Sequence, residues 1–166
     1  MSQNRRAFLD MLAVSEGTST NRALTDKPHP LSVNDGYDVI VSGVNGPEVF
    51  TDYRQHPFVG RVPKQVNTRG LYSTASGRYQ HMRVHWPHYK ALLNLAGFGP
   101  ISQDLWAIQL IRERGALQLI DAGQFDLAVA RVRNLWASLP GAGYGQPEHG
   151  IAKLRTAYLN AGGTLA

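Results

Sequence analysis

Phe8-Leu9-Asp10-Met11-Leu12-Ala13-Val14-Ser15-Glu16-Gly17 is the stretch on which the reading of this chain turns. At about 100° per residue, Phe8, Leu9, Leu12, Ala13 and Glu16 fall on one face of a helix. Glu16 therefore projects from an apolar stripe, one residue before a glycine suited to ending the helix. Two effects disfavour its anion there: loss of water, and the negative end of the helix dipole. Both raise its pKa, and a carboxylic acid still protonated near pH 7 is what general acid catalysis requires. Glu16 is the candidate catalytic residue.

Working outward, 166 residues are most economically one domain, 1–166, large enough to bury roughly 70% of the unfolded surface around one core. With 43% apolar and 17% charged residues the composition is that of an ordinary globular protein. The absence of cysteine excludes a disulfide scaffold and a thiolate metal site. Met1 to Arg6 lead into an apolar run too short, and too interrupted by Asp10, for a signal peptide or a membrane span. A protein made in the cytoplasm without stable membrane insertion is expected. The net charge of +5 is local, because no Asp or Glu lies between Tyr53 and Gln103 while Arg54, Arg61, Lys64, Arg69, Arg78, Arg83 and Lys90 do. A one-signed segment points to an anionic polymer: nucleic acid, cell-wall glycan or a membrane surface.

Tyr37 to Ser42 and Glu48 to Tyr53, flanking Asn45-Gly46, predict a β-hairpin. Arg54 to Tyr72 reads as irregular and basic. Helices are predicted from Pro87 towards Asn94, from Gln103 to Arg114 with Ser102 as cap, between Gly115 and Gly123, from Phe125 to Trp136 and from Ile151 to Asn160. Leu105, Trp106, Ala107, Ile108, Leu110 and Ile111 leave so little polar surface that the Gln103 helix is expected to be the buried central one. The fold class is α+β: a mainly helical body with a small antiparallel β lobe, about 34–80, inserted after the first helix.

His81, His85 and His88 have a spacing that a helix could present to zinc, but Pro87 interrupts it and no suitable carboxylate accompanies them. No metal site and no cofactor are expected. Gly77-Arg78-Tyr79-Gln80 combines a glycine permitting close approach, a ring on which a sugar can pack, and an amide able to bond an acetamido group. Gly141-Ala142-Gly143-Tyr144-Gly145-Gln146 presents Tyr144 and Gln146 on a glycine-rich loop. It lacks the Lys-Ser or Lys-Thr of a phosphate loop.

Six separated blocks now stand in order: Phe8 to Ala13 with Ser15-Glu16-Gly17, Gly36 to Val41, Phe50 to Tyr53, Gly77 to Gln80, Ile111 to Leu117, and Trp136 to Gln146. In these the chain resembles the lambda-type endolysins of temperate tailed phages, over nearly its whole length, from about Arg6 to Gly163. The resemblance implies a lysozyme-like fold and lytic transglycosylase activity on peptidoglycan glycan strands. It implies cleavage of the β-1,4 bond between N-acetylmuramic acid and N-acetylglucosamine with formation of a 1,6-anhydro sugar, causing host lysis. By position Glu16 matches the family's catalytic acid and base, and Gln80 the glutamine beside the reacting sugar. Tyr144 falls at a cleft-lining position; Tyr79, Asp38 and Gln146 complete the expected substrate-binding set. A monomer is expected, with a holin releasing it to the periplasm. The chain departs from its relatives in length between Thr18 and Gly36 and between Pro57 and Ser73.

One carboxylate can serve as acid and then as base when the nucleophile is the sugar's own 6-hydroxyl. The alternative on the same bond is a hydrolytic lysozyme, for which Asp38 and Asp52 are the candidate second carboxylates. The ordinary role of Asp38 in a hairpin is structural hydrogen bonding. A rival from another class is a nucleic-acid-binding module using the basic stretch with Trp86 and Tyr89. It lacks any recognised motif or recognition helix, so nucleic acid is not the expected partner. A wall-binding protein with a dead site would have no chemical need of Glu16.

Overall fold

The computed structural model describes residues 1–166. In chain order it holds α1 (Gln3–Ser15), β1 (Val39–Gly43), β2 (Gly46–Val49), β3 (Lys64–Gln65), β4 (Tyr72–Ser73), a 3₁₀ turn at Arg83–His85, α2 (Trp86–Leu92), α3 (Pro100–Glu113), α4 (Leu117–Asp121), α5 (Phe125–Val132) and α6 (Ile151–Asn160). This is the expected α+β arrangement of a helical body and small antiparallel ribbons.

α1 starts earlier than its apolar stripe because Ser2 caps it, accepting from the Arg5 amide at 3.3 Å. It stops as expected. Gly17 takes φ +67°, its amide bonds Val14 O, and the Thr18 amide reaches back to Ala13 O at 2.9 Å. That pairing leaves Glu16 as the C-cap residue.

The buried central helix is α1, not α3. Every residue from Ala7 to Ser15 except Asp10 is buried, and α1 packs against α4 and α6. On α3, Ile101 and Leu105 stay 77% and 45% exposed, and only the stripe through Gln103, Trp106, Ala107 and Ile111 is fully covered. α3 also begins at Pro100 after Gly99, rather than being capped by Ser102, because proline's fixed φ suits a first turn that needs no amide donor. α5 ends at Val132 instead of running to Trp136, whose indole is engaged elsewhere.

The main core joins α1, α3, α4, α5 and α6 with Tyr79, Trp136 and Leu139. A second cluster of Trp86, Tyr89, Leu95, Phe98 and Trp106 ties α2 and α3 to Phe50 of the β lobe. In that lobe β1 and β2 pair with Val39 opposite Val49 and Ile40 opposite Glu48. Arg54 to Tyr72 is not wholly irregular: β3 and β4 form a short ribbon within it, and Val44 donates to Gln65 O at 3.2 Å. Gly43 is required there, since a Cβ would lie 2.2 Å from that same oxygen.

The basic stretch is partly neutralised by acids brought to it by the fold. Arg54 pairs with Asp52, Arg61 and Lys64 with Glu48, and Arg78 is buried against Asp10 and Asp35, all acids from outside the stretch. Lys90 lies over the Trp86 ring.

Candidate active site

Glu16 stands where the helical body meets the β lobe. Two adjoining hollows, of about 580 Å³ and 270 Å³, share Glu16, Val41, Gln80, Ala137 and Gln146, and together make a cleft that passes the carboxyl on both sides. Glu16 is the sole carboxylate in the walls of either hollow.

The Glu16 carboxyl accepts a bond of 2.5 Å from the Ser138 hydroxyl. Ser138 is itself held: its Oγ lies 2.7 Å from Ser15 Oγ, and its carbonyl accepts from the His149 amide at 2.8 Å. The His149 ring donates from Nε2 to Ser15 O at 3.1 Å. Four residues thus lock the end of α1 to the loop after α5. Burial pushes the Glu16 pKa up from 4.5 to about 7, against the opposing effect of the Ser138 bond.

Gln80 lies in the wall of both hollows, in a left-handed backbone conformation with φ 49°, its side-chain amide donating to Gly77 O at 3.0 Å. The turn before it is pinned by Gln103 of α3. The Gln103 amide oxygen accepts from Arg78 N at 2.8 Å, and its nitrogen donates to Tyr37 O and Phe98 O at 2.9 and 2.8 Å. Gly77 is obligatory: φ is +77° and a Cβ would sit 2.1 Å from Gln103 Oε1.

Tyr144 is 57% exposed on the cleft wall, with its hydroxyl bonded to Asn134 O at 2.8 Å; Gln146 stands exposed beside Glu16. Tyr79 and Asp38 are placed differently from expectation. The Tyr79 ring is buried, its hydroxyl donates to Asp104 at 2.6 Å, and its carbonyl accepts from the Trp136 indole at 2.9 Å, so no face is free for a sugar. Asp38 is buried against the Ser32 hydroxyl and accepts from the Val33 amide at 3.0 Å, which makes it the organiser of the preceding loop rather than a cleft residue. Asp52 is held by Arg54 at 2.6 Å and lines neither hollow.

The three spaced histidines diverge. His81 is buried and stacked on Trp106 at 4.1 Å, His85 lines the larger hollow, and His88 packs edge-on against Tyr89. Burial pushes the His81 pKa down to about 3.

Ser138, Gln103 and Trp136 were not marked as site residues by any sequence pattern. Ser138 and Trp136 fall inside one of the six ordered blocks, but their partners are more than fifty residues away. Only the fold brings them together.

A helical body, a small β lobe and a cleft holding one protonatable glutamate between them define a lysozyme-like protein. The chain belongs to the endolysin family, matching it over residues 6–165. It is 59% identical to the endolysin of Escherichia phage P2, covering 99% of this chain and 96% of that protein. It is 48% identical to the endolysin of Escherichia phage lambda, covering 99% and 95%. The solved structure of bacteriophage lambda lysozyme complexed with a chitohexasaccharide superposes with a TM-score of 0.85, over 100% of this chain and 98% of that one at 48% identity.

Proposed function

We propose that this chain is a lytic enzyme of the bacterial wall. It cleaves the β-1,4 bond between N-acetylmuramic acid and N-acetylglucosamine in peptidoglycan by intramolecular transglycosylation. The observation that carries this reading is the solitude of Glu16: one carboxyl, with a pKa of about 7, in a cleft whose walls offer no second carboxylate. Hydrolysis by either usual route needs a partner carboxylate, about 5–5.5 Å away as nucleophile or about 6.5–9.5 Å away as base. Asp38 and Asp52 are both committed elsewhere.

In the proposed cycle Glu16 gives its proton to the glycosidic oxygen as the bond from C1 of the muramyl sugar to that oxygen breaks. The 6-hydroxyl oxygen of the same sugar then closes on the oxocarbenium-like C1. Its proton passes to the Glu16 carboxylate, which restores the acid. No water is consumed. Ring closure by a tethered nucleophile gains from proximity, by up to roughly 7–11 kcal/mol at ideal geometry. Gln80 and Gln146 are positioned to bond hydroxyl and acetamido groups next to the reacting sugar, and the exposed Tyr144 ring supplies an apolar face.

Mass spectrometry of digested peptidoglycan tests the reading. Products ending in 1,6-anhydro-N-acetylmuramic acid are expected; reducing muramyl ends would replace it with hydrolysis.

A further inference from the structure

We propose that the larger hollow receives the lactyl-peptide substituent of a muramyl residue, and that Arg114 determines specificity by pairing with a carboxylate of that peptide. The inference rests on the wall-lytic reading above and names the part of the wall polymer that this half of the cleft recognises.

Arg114 caps the C-terminal end of α3 and lines the larger hollow. It is exposed and has no acidic partner in the chain. Its neighbour Glu113 is already engaged by the Tyr89 hydroxyl at 2.8 Å and the Gln109 amide at 2.9 Å. Around Arg114 the hollow is mostly apolar, with Leu110 and Trp106 on its own helix, Leu135 beside them, and Leu71 and Met82 across the cleft. Glu16 is the only acid among the residues that line this hollow.

An uncharged chain of N-acetylated sugars has nothing to offer an unpaired guanidinium in an apolar groove. A peptide-bearing muramyl strand does. Its lactyl and alanyl methyl groups match the apolar wall, and its carboxylates match a planar, always-charged fork that binds them in bidentate fashion. A cation at a helix C-terminus also stabilises the helix. That role would act on folding equally whatever the substrate, and so is separable by experiment.

The test compares initial rates on glycan strands bearing their stem peptides with rates on the same strands stripped of peptide by an amidase, the lactyl carboxylates this frees being capped as neutral methylamides. The measurement uses wild type, Arg114→Gln and Arg114→Lys, with melting temperatures recorded in parallel. Wild type is expected to prefer peptide-bearing strands, with a preference that weakens as salt rises. Arg114→Gln is expected to lower the ratio of the two rates by about three- to tenfold and to remove its salt dependence, while Arg114→Lys retains part of it. A ratio unchanged by Arg114→Gln, or a fall shared equally by both substrates and tracking the melting temperature, would overturn the proposal. Anhydro ends on the products of stripped strands report on the wall-lytic reading independently of that ratio.

Discussion

Ser138 donates a hydrogen bond from its hydroxyl to the Glu16 carboxyl across 2.5 Å, joining two residues 122 positions apart in the wall of the cleft. The bond works against the burial that surrounds it. Burial favours the neutral acid, while a hydroxyl donor stabilises the anion, and burial prevails with a pKa of about 7. In the cycle proposed above Glu16 is an acid in one step and a base in the next, and such a balance would serve it, because neither protonation state lies far out of reach near neutrality.

The first consequence concerns pH. If Glu16 enters the cycle protonated, as proposed, kcat/KM should be highest below its pKa and fall tenfold per pH unit above about 7. The measurement is a pH–rate profile on peptidoglycan fragments at constant ionic strength. A profile flat from pH 6 to 9 would remove Glu16 from the role of general acid.

Ser138→Ala removes a donor that favours the anion. The Glu16 pKa should therefore rise above its present value, carrying the falling limb of the profile to higher pH. With the orienting bond lost, the plateau rate should drop, by about ten- to a hundredfold on the usual worth of a hydrogen bond to a charged group. The two effects are read from one titration, and a limb that did not move would mean the bond is absent in solution.

The raised pKa also makes Glu16 a burden on stability. Below the ordinary value of 4.5, folded and unfolded chains are both protonated and no penalty exists. Between 4.5 and about 7 the unfolded chain ionises first, so folding weakens as pH rises, and above about 7 the full penalty holds. Glu16→Gln should abolish lysis yet stabilise the protein at pH 8 by up to about 3 kcal/mol, with no gain at pH 4. Thermal melts of both proteins at the two pH values check this.

The fold class was legible because its signals are local. An apolar stripe stopped by Gly17, a hairpin around Asn45-Gly46, and helix punctuation at Gly115, Gly123 and Gly162 each survive in the structure, although the second strand runs from Gly46 to Val49 and not on to Tyr53. The ranking of helices by burial was not. Leu105 and Ile101 are as apolar as anything on α1, but the covering elements fall on α1, and single-helix composition cannot report what packs against it. The placement of Glu16 in the cleft was legible from its apolar stripe taken together with the ordered blocks that follow it. Tyr79 and Asp38 were misplaced because exposure and hydrogen-bond partners were assumed for them, whereas Asp104, Trp136 and Ser32 occupy their polar atoms. Ser138 lay beyond reach, since a lone serine carries no periodicity.

Arg78 offers a last prediction, on what holds the Gln80 turn in place. Its guanidinium is 2% exposed, bonded to Asp10 at 2.6 Å and to Asp35, and lies 5.1 Å from the centre of the Tyr37 ring. Removing a buried cation and removing its partners are not equivalent changes. Arg78→Met leaves two carboxylates that are 36% and 49% exposed and can be rehydrated, while the methionine refills much of the space. The pair Asp10→Asn with Asp35→Asn leaves a full positive charge buried with no opposing charge, only the backbone carbonyl of residue 35 and the Tyr37 ring, which costs about 3–5 kcal/mol. The double variant should therefore be less stable than Arg78→Met in urea titration, although it is the more conservative in shape. Equal midpoints, or the reverse order, would show that the ring contact and packing of Arg78, rather than its charge pairing, secure the turn that carries Gln80 into the cleft.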